Sequence, residues 1–443
     1  MAAKSQLSNA SKRDAEGAAA GPPSVVKRVP WWAVISTVMV LLSAYFMVEP
    51  IRDTVTFQPV PDVRLVLSTA YLVLAPICTV FDTLSLMSVP QHIAILLSLV
   101  VIFVAWRAWR SVRRGTTAGQ ELWAAAFGLG GLVSVYAAGI LVPRPMAALA
   151  VNSPLNDAMV VVDFHSHTNH SHDGAPWFTP EANRRWHGDA GYDVAYITDH
   201  RTVQGAVEGM ANNPPVAGEG TTLLQGLEVV WNGAHVNLLG AERVYKGLTD
   251  PNLRDIDTTS LALASMVPNH EPILVFTFPD LLRHLRPATG PGMPGVRAIE
   301  IIDGSPRGLG DVRRLRTKIA TIADTFNLAL VSGSDNHGWG YTAPGWTLML
   351  VPGWRGMTPD SLAEAIDTQI RTRGFEATRV IERRVANTNV SAWRLAVTLP
   401  LVTVRMLTMM SNDERVSWLI WIWGIVLLRS AWRRRRDGAS TGA

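Results

Sequence analysis

Histidine and acidic side chains gather at a few points of this chain, at short spacing. The richest point is Asp163-Phe164-His165-Ser166-His167-Thr168, followed directly by Asn169-His170-Ser171-His172-Asp173-Gly174. Further along come Thr198-Asp199-His200, Gly226-Leu227-Glu228, a lone His235 and Gly333-Ser334-Asp335-Asn336-His337-Gly338. Seven of the chain's 11 histidines lie in these clusters, a bias that core packing alone does not produce. Imidazole and carboxylate suit zinc, manganese or iron. Thiolate is not on offer, because the one cysteine, Cys78, lies in an apolar run away from the clusters. On a strand, His165 and His167 would point to the same side, about 7 Å apart along the chain, and could converge on one ion. Asp335 and His337 repeat that spacing. Two or three divalent ions held this way would generate a hydroxide nucleophile near neutral pH and clamp the oxygens of an in-line displacement.

Such side chains need a scaffold that aims them at one place. Short apolar, β-branched runs recur at 159–164, 193–198, 222–229, 235–239, 273–278, 296–302, 328–332 and 347–351. Several are separated by stretches of helical character, such as 180–189 and 311–327. Continuous apolar strands alternating with helices imply parallel strands buried on both faces. Seven or eight of them predict an α/β barrel over residues 155–385, with its chemistry at the C-terminal ends of the strands. Nearly every cluster falls at such an end, and His235 begins its own run.

Taken in this order, Asp-Phe-His-Ser-His-Thr, Ile-Thr-Asp-His, Gly-Leu-Glu and Gly-Ser-Asp-Asn-His resemble the motifs of the polymerase and histidinol phosphatase (PHP) family of metal-dependent phosphoesterases. The resemblance implies a distorted (β/α)7 TIM-like barrel, up to three metal ions and hydrolysis of phosphate esters. By position it implies that His165, His167 and Asp335 share one ion and that Glu228 bridges it to a second, which His235 also holds. His200 and His337 would hold a third, with Asp173, or else His172 or His170, completing it. Glu228, Asp335 and His200 are thereby expected at the catalytic centre. Two departures stand out. His172 is inserted between Ser171 and Asp173, and Phe278-Pro279 stands where the family has His-Pro, which removes a ligand from the second ion. Asp280 is the nearest substitute; His270 and His284 are expected away from the rim. Arg201 and Arg307 follow strand ends and could grip a substrate phosphate as bidentate donors, or be solvated loop arginines. Asp199 could orient His200 or cap a helix, and Trp339 and Tyr341 could line the pocket, although core or lid packing is the commoner role for such residues.

The rest of the chain has another composition. Residues 1–30 read as a disordered tail. Apolar stretches at 31–48, 65–81, 93–106 and 122–142 predict three or four transmembrane helices. Residues 391–432 predict an interfacial helix and a further span, followed by a basic tail at 433–443. Arg107, Arg110, Arg113 and Arg114, and again Arg433 to Arg436, follow apolar runs. Positive charge beside spans marks the cytoplasmic side, which puts the barrel outside the cytoplasm. The expected partners are membrane lipid and a small-molecule or lipid phosphoester of the cell envelope. Nucleic acid is not expected, since no basic patch interleaved with aromatics occurs in the globular section. Rival readings are a metal-dependent hydrolase of another bond and an extracytoplasmic binding or sensor domain with a degenerate metal site.

Overall fold

The computed structural model describes residues 29–115, 118–231, 234–240, 248–250, 252–256, 273–277, 296–385 and 395–440. Phe278, Pro279, Asp280, His270 and His284 lie outside the described residues, as does nearly all of the expected tail. The chain divides into two units, residues 40–421, and residues 1–39 with 422–443. In the smaller unit the Arg429 guanidinium lies 5.7 Å from the Trp32 ring centroid, a cation–π contact.

The larger unit is α/β. In chain order its strands are β1 (Ile51–Asp53), β2 (Val63–Leu67), β3 (Ala147–Val151), β4 (Met159–Ser166), β5 (Val194–Ile197), β6 (Thr222–Trp231), β7 (Ala234–Leu239), β8 (Ile273–Phe276), β9 (Val296–Asp303), β10 (Ala329–Gly333), β11 (Gly345–Leu350) and β12 (Thr378–Arg383). Ten of them form one sheet in the order β1-β12-β11-β4-β5-β6-β7-β8-β9-β10, and β2 pairs with β3 outside it. The sheet curls until β10 returns beside β4. There the ladder gives way to a single bridge, Ser166 to Asn336, so the barrel stays open. All eight apolar runs of the sequence fall on strands, and β5 and β10 are buried along their whole length, as strands covered on both faces must be. Side chains of β4, β5, β8 and β10, among them Phe164, Tyr196, Val275 and Val331, meet in one core. Helices Pro180–Ala190, Pro306–Thr325 and Pro359–Arg373 each start with a Ser or Thr whose hydroxyl accepts a first-turn N–H, followed by proline. Both devices favour a helix start there.

Three expectations are corrected. The strands are not all parallel: β4-β5-β6 and β8-β9-β10 are, but β7 runs antiparallel to β6 and β8, and β11 runs antiparallel to β4 and β12. The reason is the short β6–β7 connection, which only a hairpin can make. The sheet also reaches outside 155–385, because β1 pairs with β12. Finally, residues 65–81 are not one apolar span. They start in β2 and continue as two short helices, Thr69–Val73 and Ala75–Ser85, the first capped by the Ser68 hydroxyl. Among the described residues two helices, Val89–Arg114 and Gly119–Leu141, are long and apolar enough to cross a membrane; Trp31–Phe46 is shorter.

Candidate metal centre

The end of β4 carries His165, and His167 follows one residue past it. Their rings do not stay apart along the strand; the Nε2 atoms come within 3.0 Å of each other. Glu228 enters from β6. Its Oε2 lies 3.0 Å from His165 Nε2 and 3.2 Å from His167 Nε2. Asp335 arrives from beyond β10. Its Oδ1 lies 3.4 Å from His165 Nε2 and 3.3 Å from His167 Nε2. Asp335 and His337 are therefore not a strand pair, as their spacing suggested. They lie in a loop in which Asp335 adopts φ +45 and its amide donates to the His165 carbonyl at 2.9 Å. A left-handed Asp costs backbone energy, and here that backbone turns the carboxylate toward the two imidazoles.

Around this nucleus the other predicted residues assemble. His235 starts β7, and because β7 is antiparallel to β6 its start lies at the same rim as the end of β6. His235 Nδ1 is 2.6 Å from Glu228 Oε1. His200 Nε2 lies 3.4 Å from Glu228 Oε2 and 3.7 Å from Asp173 Oδ2, and His337 Nε2 lies 3.3 Å from Asp173 Oδ2. The His172 ring stands edge-on to His200 at 5.1 Å. His170 turns away, 2.9 Å from Glu208. Asp199 neither orients His200 nor caps a helix: it accepts the Thr168 amide and hydroxyl, both at 2.6 Å, and so holds the loop after β4. Arg201 is exposed on the turn after His200 with φ +60, and Arg307 is exposed in the first turn of helix Pro306–Thr325. Trp339 is partly exposed and stands edge-on to Trp177 at 4.8 Å. Tyr341 packs into a core with Met146 and Trp346 instead of lining the rim.

Two buried groups escaped the sequence reading. Glu300, from the middle of β9, places Oε1 2.9 Å from His165 Nδ1. Asp163 of β4 places Oδ2 2.7 Å from His187 Nε2, and its other oxygen accepts the amides of Ser334 and His165. The signal for Glu300 was a lone acid inside the apolar run Ala298-Ile299-Glu300-Ile301-Ile302, where an unpaired carboxylate is costly. Gly333 lets Glu300 and His165 approach: a Cβ there would sit 2.5 Å from Glu300 Oε1 and 2.7 Å from His165 Cβ.

The electrostatics describe a place for positive charge. Burial disfavours a charged His165, yet Glu300, Glu228 and Asp335 together push its pKa well up. Burial acts likewise on His167, and hydrogen bonds to Asp335 and Glu228 raise it to about 9. Against burial, His165 and its neighbours hold the Glu228 carboxyl well down. Burial lowers His200 to about 4, which leaves it a neutral donor. Burial raises Glu300 well above the usual carboxyl range. With the proton on His165 Nδ1 toward Glu300, its Nε2 lone pair faces His167 and two carboxylates. These atoms repel unless a cation stands among them. Ligands about 2.0–2.2 Å from one ion lie about 2.8–3.6 Å from one another in tetrahedral or octahedral arrangement, and the separations of 3.0–3.4 Å fall in that range. The donor set therefore fits a metal ion. Three overlapping groups adjoin it, His167 with His200 and His337, His200 with Glu228 and His235, and His172 with Asp173 and His200.

No protein-family model and no curated protein matches the sequence. Solved structures do show partial likeness. PsfC from Pseudomonas syringae is 19% identical with a TM-score of 0.35, over 57% of this chain and 100% of that one. A two-domain protein from Bacteroides vulgatus, containing a predicted PHP-like metal-dependent phosphoesterase, is 14% identical with a TM-score of 0.31, over 47% and 62%. A lesion-specific endonuclease from Pyrococcus furiosus is 15% identical with a TM-score of 0.35, over 47% and 56%.

Proposed function

We propose that this chain is a membrane-anchored, metal-dependent hydrolase of phosphate esters of the PHP type. One observation carries the reading: two imidazole nitrogens and two carboxylate oxygens, from His165, His167, Glu228 and Asp335, converge within 3.0–3.4 Å at one rim of a curled sheet. His165, His167 and Asp335 would hold one ion, Glu228 and His235 a second, and His200, His337 and Asp173 a third, with His172 as the alternative to Asp173. Zinc, manganese or iron in such a site supplies charge to a phosphoryl oxygen and makes water a nucleophile near neutral pH.

The chain's own residues do the positioning. Glu300 fixes the His165 ring through Nδ1, as outer partners of ligating histidines do. Glu228, Asp335 and His200 surround the reacting centre, His200 as a neutral imidazole with its lone pair free for an ion. Arg201 and Arg307 are assigned to the substrate phosphate as charge-assisted donors. The two long apolar helices anchor the domain on the extracytoplasmic side, and the substrate is a small-molecule or lipid phosphoester and not a nucleic acid.

The test uses the full chain in detergent, with metal measured by elemental analysis and turnover measured on bis(p-nitrophenyl) phosphate. The wild type should carry two or more ions. Asp335→Ala and His165→Ala should lose metal and about 100-fold or more in turnover while keeping their circular dichroism. Wild-type turnover in a folded Asp335→Ala protein would sink the assignment.

A further inference from the structure

A cavity lies apart from the metal centre, with none of that cluster's residues in its lining. It has a volume of about 360 Å³ and is bordered by the start of β1, the end of β12, the helix Ala75–Ser85 and the helix Leu395–Met409. That volume is in the range of small-molecule pockets. One part of its wall is apolar and adaptable, with Met406, Met409, Met410, Ile51, Val63 and Leu65. Methionine walls accept irregular apolar shapes. The other part carries three arginines, Arg64, Arg383 and Arg384, against two acids, Glu49 and Glu414.

These charges are not equivalent. Glu414 is already used: it accepts from the Thr79 hydroxyl at 2.9 Å and the Ser411 amide at 2.7 Å. Arg383 donates to Asp82 at 3.0 Å, and Arg64 donates to Asn152. Arg384 differs: Glu382 and Glu49 are its acidic neighbours, yet its Nε is sheltered from solvent and has no hydrogen-bond partner among the described residues. A desolvated, unpartnered guanidinium N–H is costly and calls for an acceptor. We infer that this cavity binds an anionic amphiphile, with its hydrocarbon tail among the methionines and its phosphate or carboxylate head on Arg384. Lipid is the source the walls favour, because the apolar part is the larger surface and a free inorganic anion would leave it uncovered.

Titration of the detergent-purified full chain by native mass spectrometry would decide. The probes are phosphatidylglycerol, phosphatidylcholine and inorganic phosphate. One phosphatidylglycerol per chain should be retained, about tenfold more tightly than phosphatidylcholine. Met406→Trp, which fills the apolar part, should lower that retention about tenfold. Arg384→Gln should abolish the preference for the anionic lipid without removing tail binding. Equal retention of the two lipids by the wild type would overturn the inference. So would unchanged preference in Arg384→Gln, or displacement of the lipid by millimolar phosphate, which would mark a free-anion site. Metal content, unaffected by either substitution, reports that the variants are folded.

Discussion

His167 is under two opposed pressures, and their balance can be read as a function of pH. Burial disfavours its charge, but Asp335 and Glu228 raise its pKa to about 9, against about 6.5 in an unfolded chain. In the metal-free protein, the protonated ring therefore stabilises the fold fully below about pH 6.5, and that contribution is lost as the pH rises through 9. A metal ion held by His167 would replace the proton, and its affinity would rise with pH because its ligands must be deprotonated. The melting temperatures of the zinc-loaded and chelated proteins should thus diverge between pH 6.5 and 9, with the chelated form falling; a constant gap would mean that His167 does not face the ion site. The residues behind this behaviour were legible in the sequence because histidines at i and i+2 sat where an apolar run stopped. Glu300 was not, since a single acid in a run such as Ile299-Glu300-Ile301 carries no spacing. Its meaning comes from His165, 135 residues away in sequence, and only the curl of the sheet brings the two together.

Elements aim these residues, and their order in the sheet matters more than their number. All eight apolar runs became strands, since continuous β-branched sequence buried on both faces has little alternative. Their directions were less legible. A helical crossover and a hairpin both separate two strands, and the β6–β7 hairpin declares itself only by its short connection. It nevertheless brings His235 to the right rim, because the start of an antiparallel strand stands beside the end of its neighbour. The strand at 51–53 was missed because it is short and its partner is distant in sequence, and the strand at 378–383 because Arg379, Glu382 and Arg383 leave it only two consecutive apolar residues. They are held by charge as well as by the ladder. Glu382 of β12 accepts from Arg316 Nη1 at 2.9 Å and from Arg52 at 2.5 Å, with its own side chain only 4% exposed. Removing one member of a buried pair leaves the others uncompensated. Glu382→Ala should therefore destabilise the domain by about 3–5 kcal/mol in chemical denaturation, whereas Asp311→Ala, which removes an exposed partner of Arg314, should cost less than about 1 kcal/mol. Equal effects would mean that the edge is held by the backbone alone.

At the scale of the larger unit, the same strand directions place the metal centre and the apolar helices at one end. The end of β4 stands beside the start of β11, the end of β12 and the start of β1, so Arg383 marks the rim that His165 also occupies. Asp82 ties this rim to the helices: it accepts from Arg383 at 3.0 Å, from Arg144 at 3.1 Å and from Thr342 at 2.8 Å. Arg144 lies just beyond Val142 and Pro143 at the end of the helix Ala118–Leu141, which packs on Val89–Arg114 closely enough that a Cβ at Gly128 would sit 2.4 Å from Phe103. The outer surfaces of this helical pair are apolar, with Val101, Phe127 and Leu122 each more than 60% exposed, and an apolar face of that kind marks a surface for a membrane or for another protein. Arg110, Arg113 and Arg114 stand at the far end of the first helix, remote in sequence from the rim. If both helices cross, the arginine tip is cytoplasmic by the positive-inside rule, and the rim that carries His165 faces the opposite compartment. In a Cys78→Ser background, Glu219→Cys on the domain surface should react with a membrane-impermeant maleimide in intact cells, and Arg114→Cys only after permeabilisation. The reverse pattern would put the metal centre in the cytoplasm, and labelling of both sites in intact cells would mean that the pair does not cross.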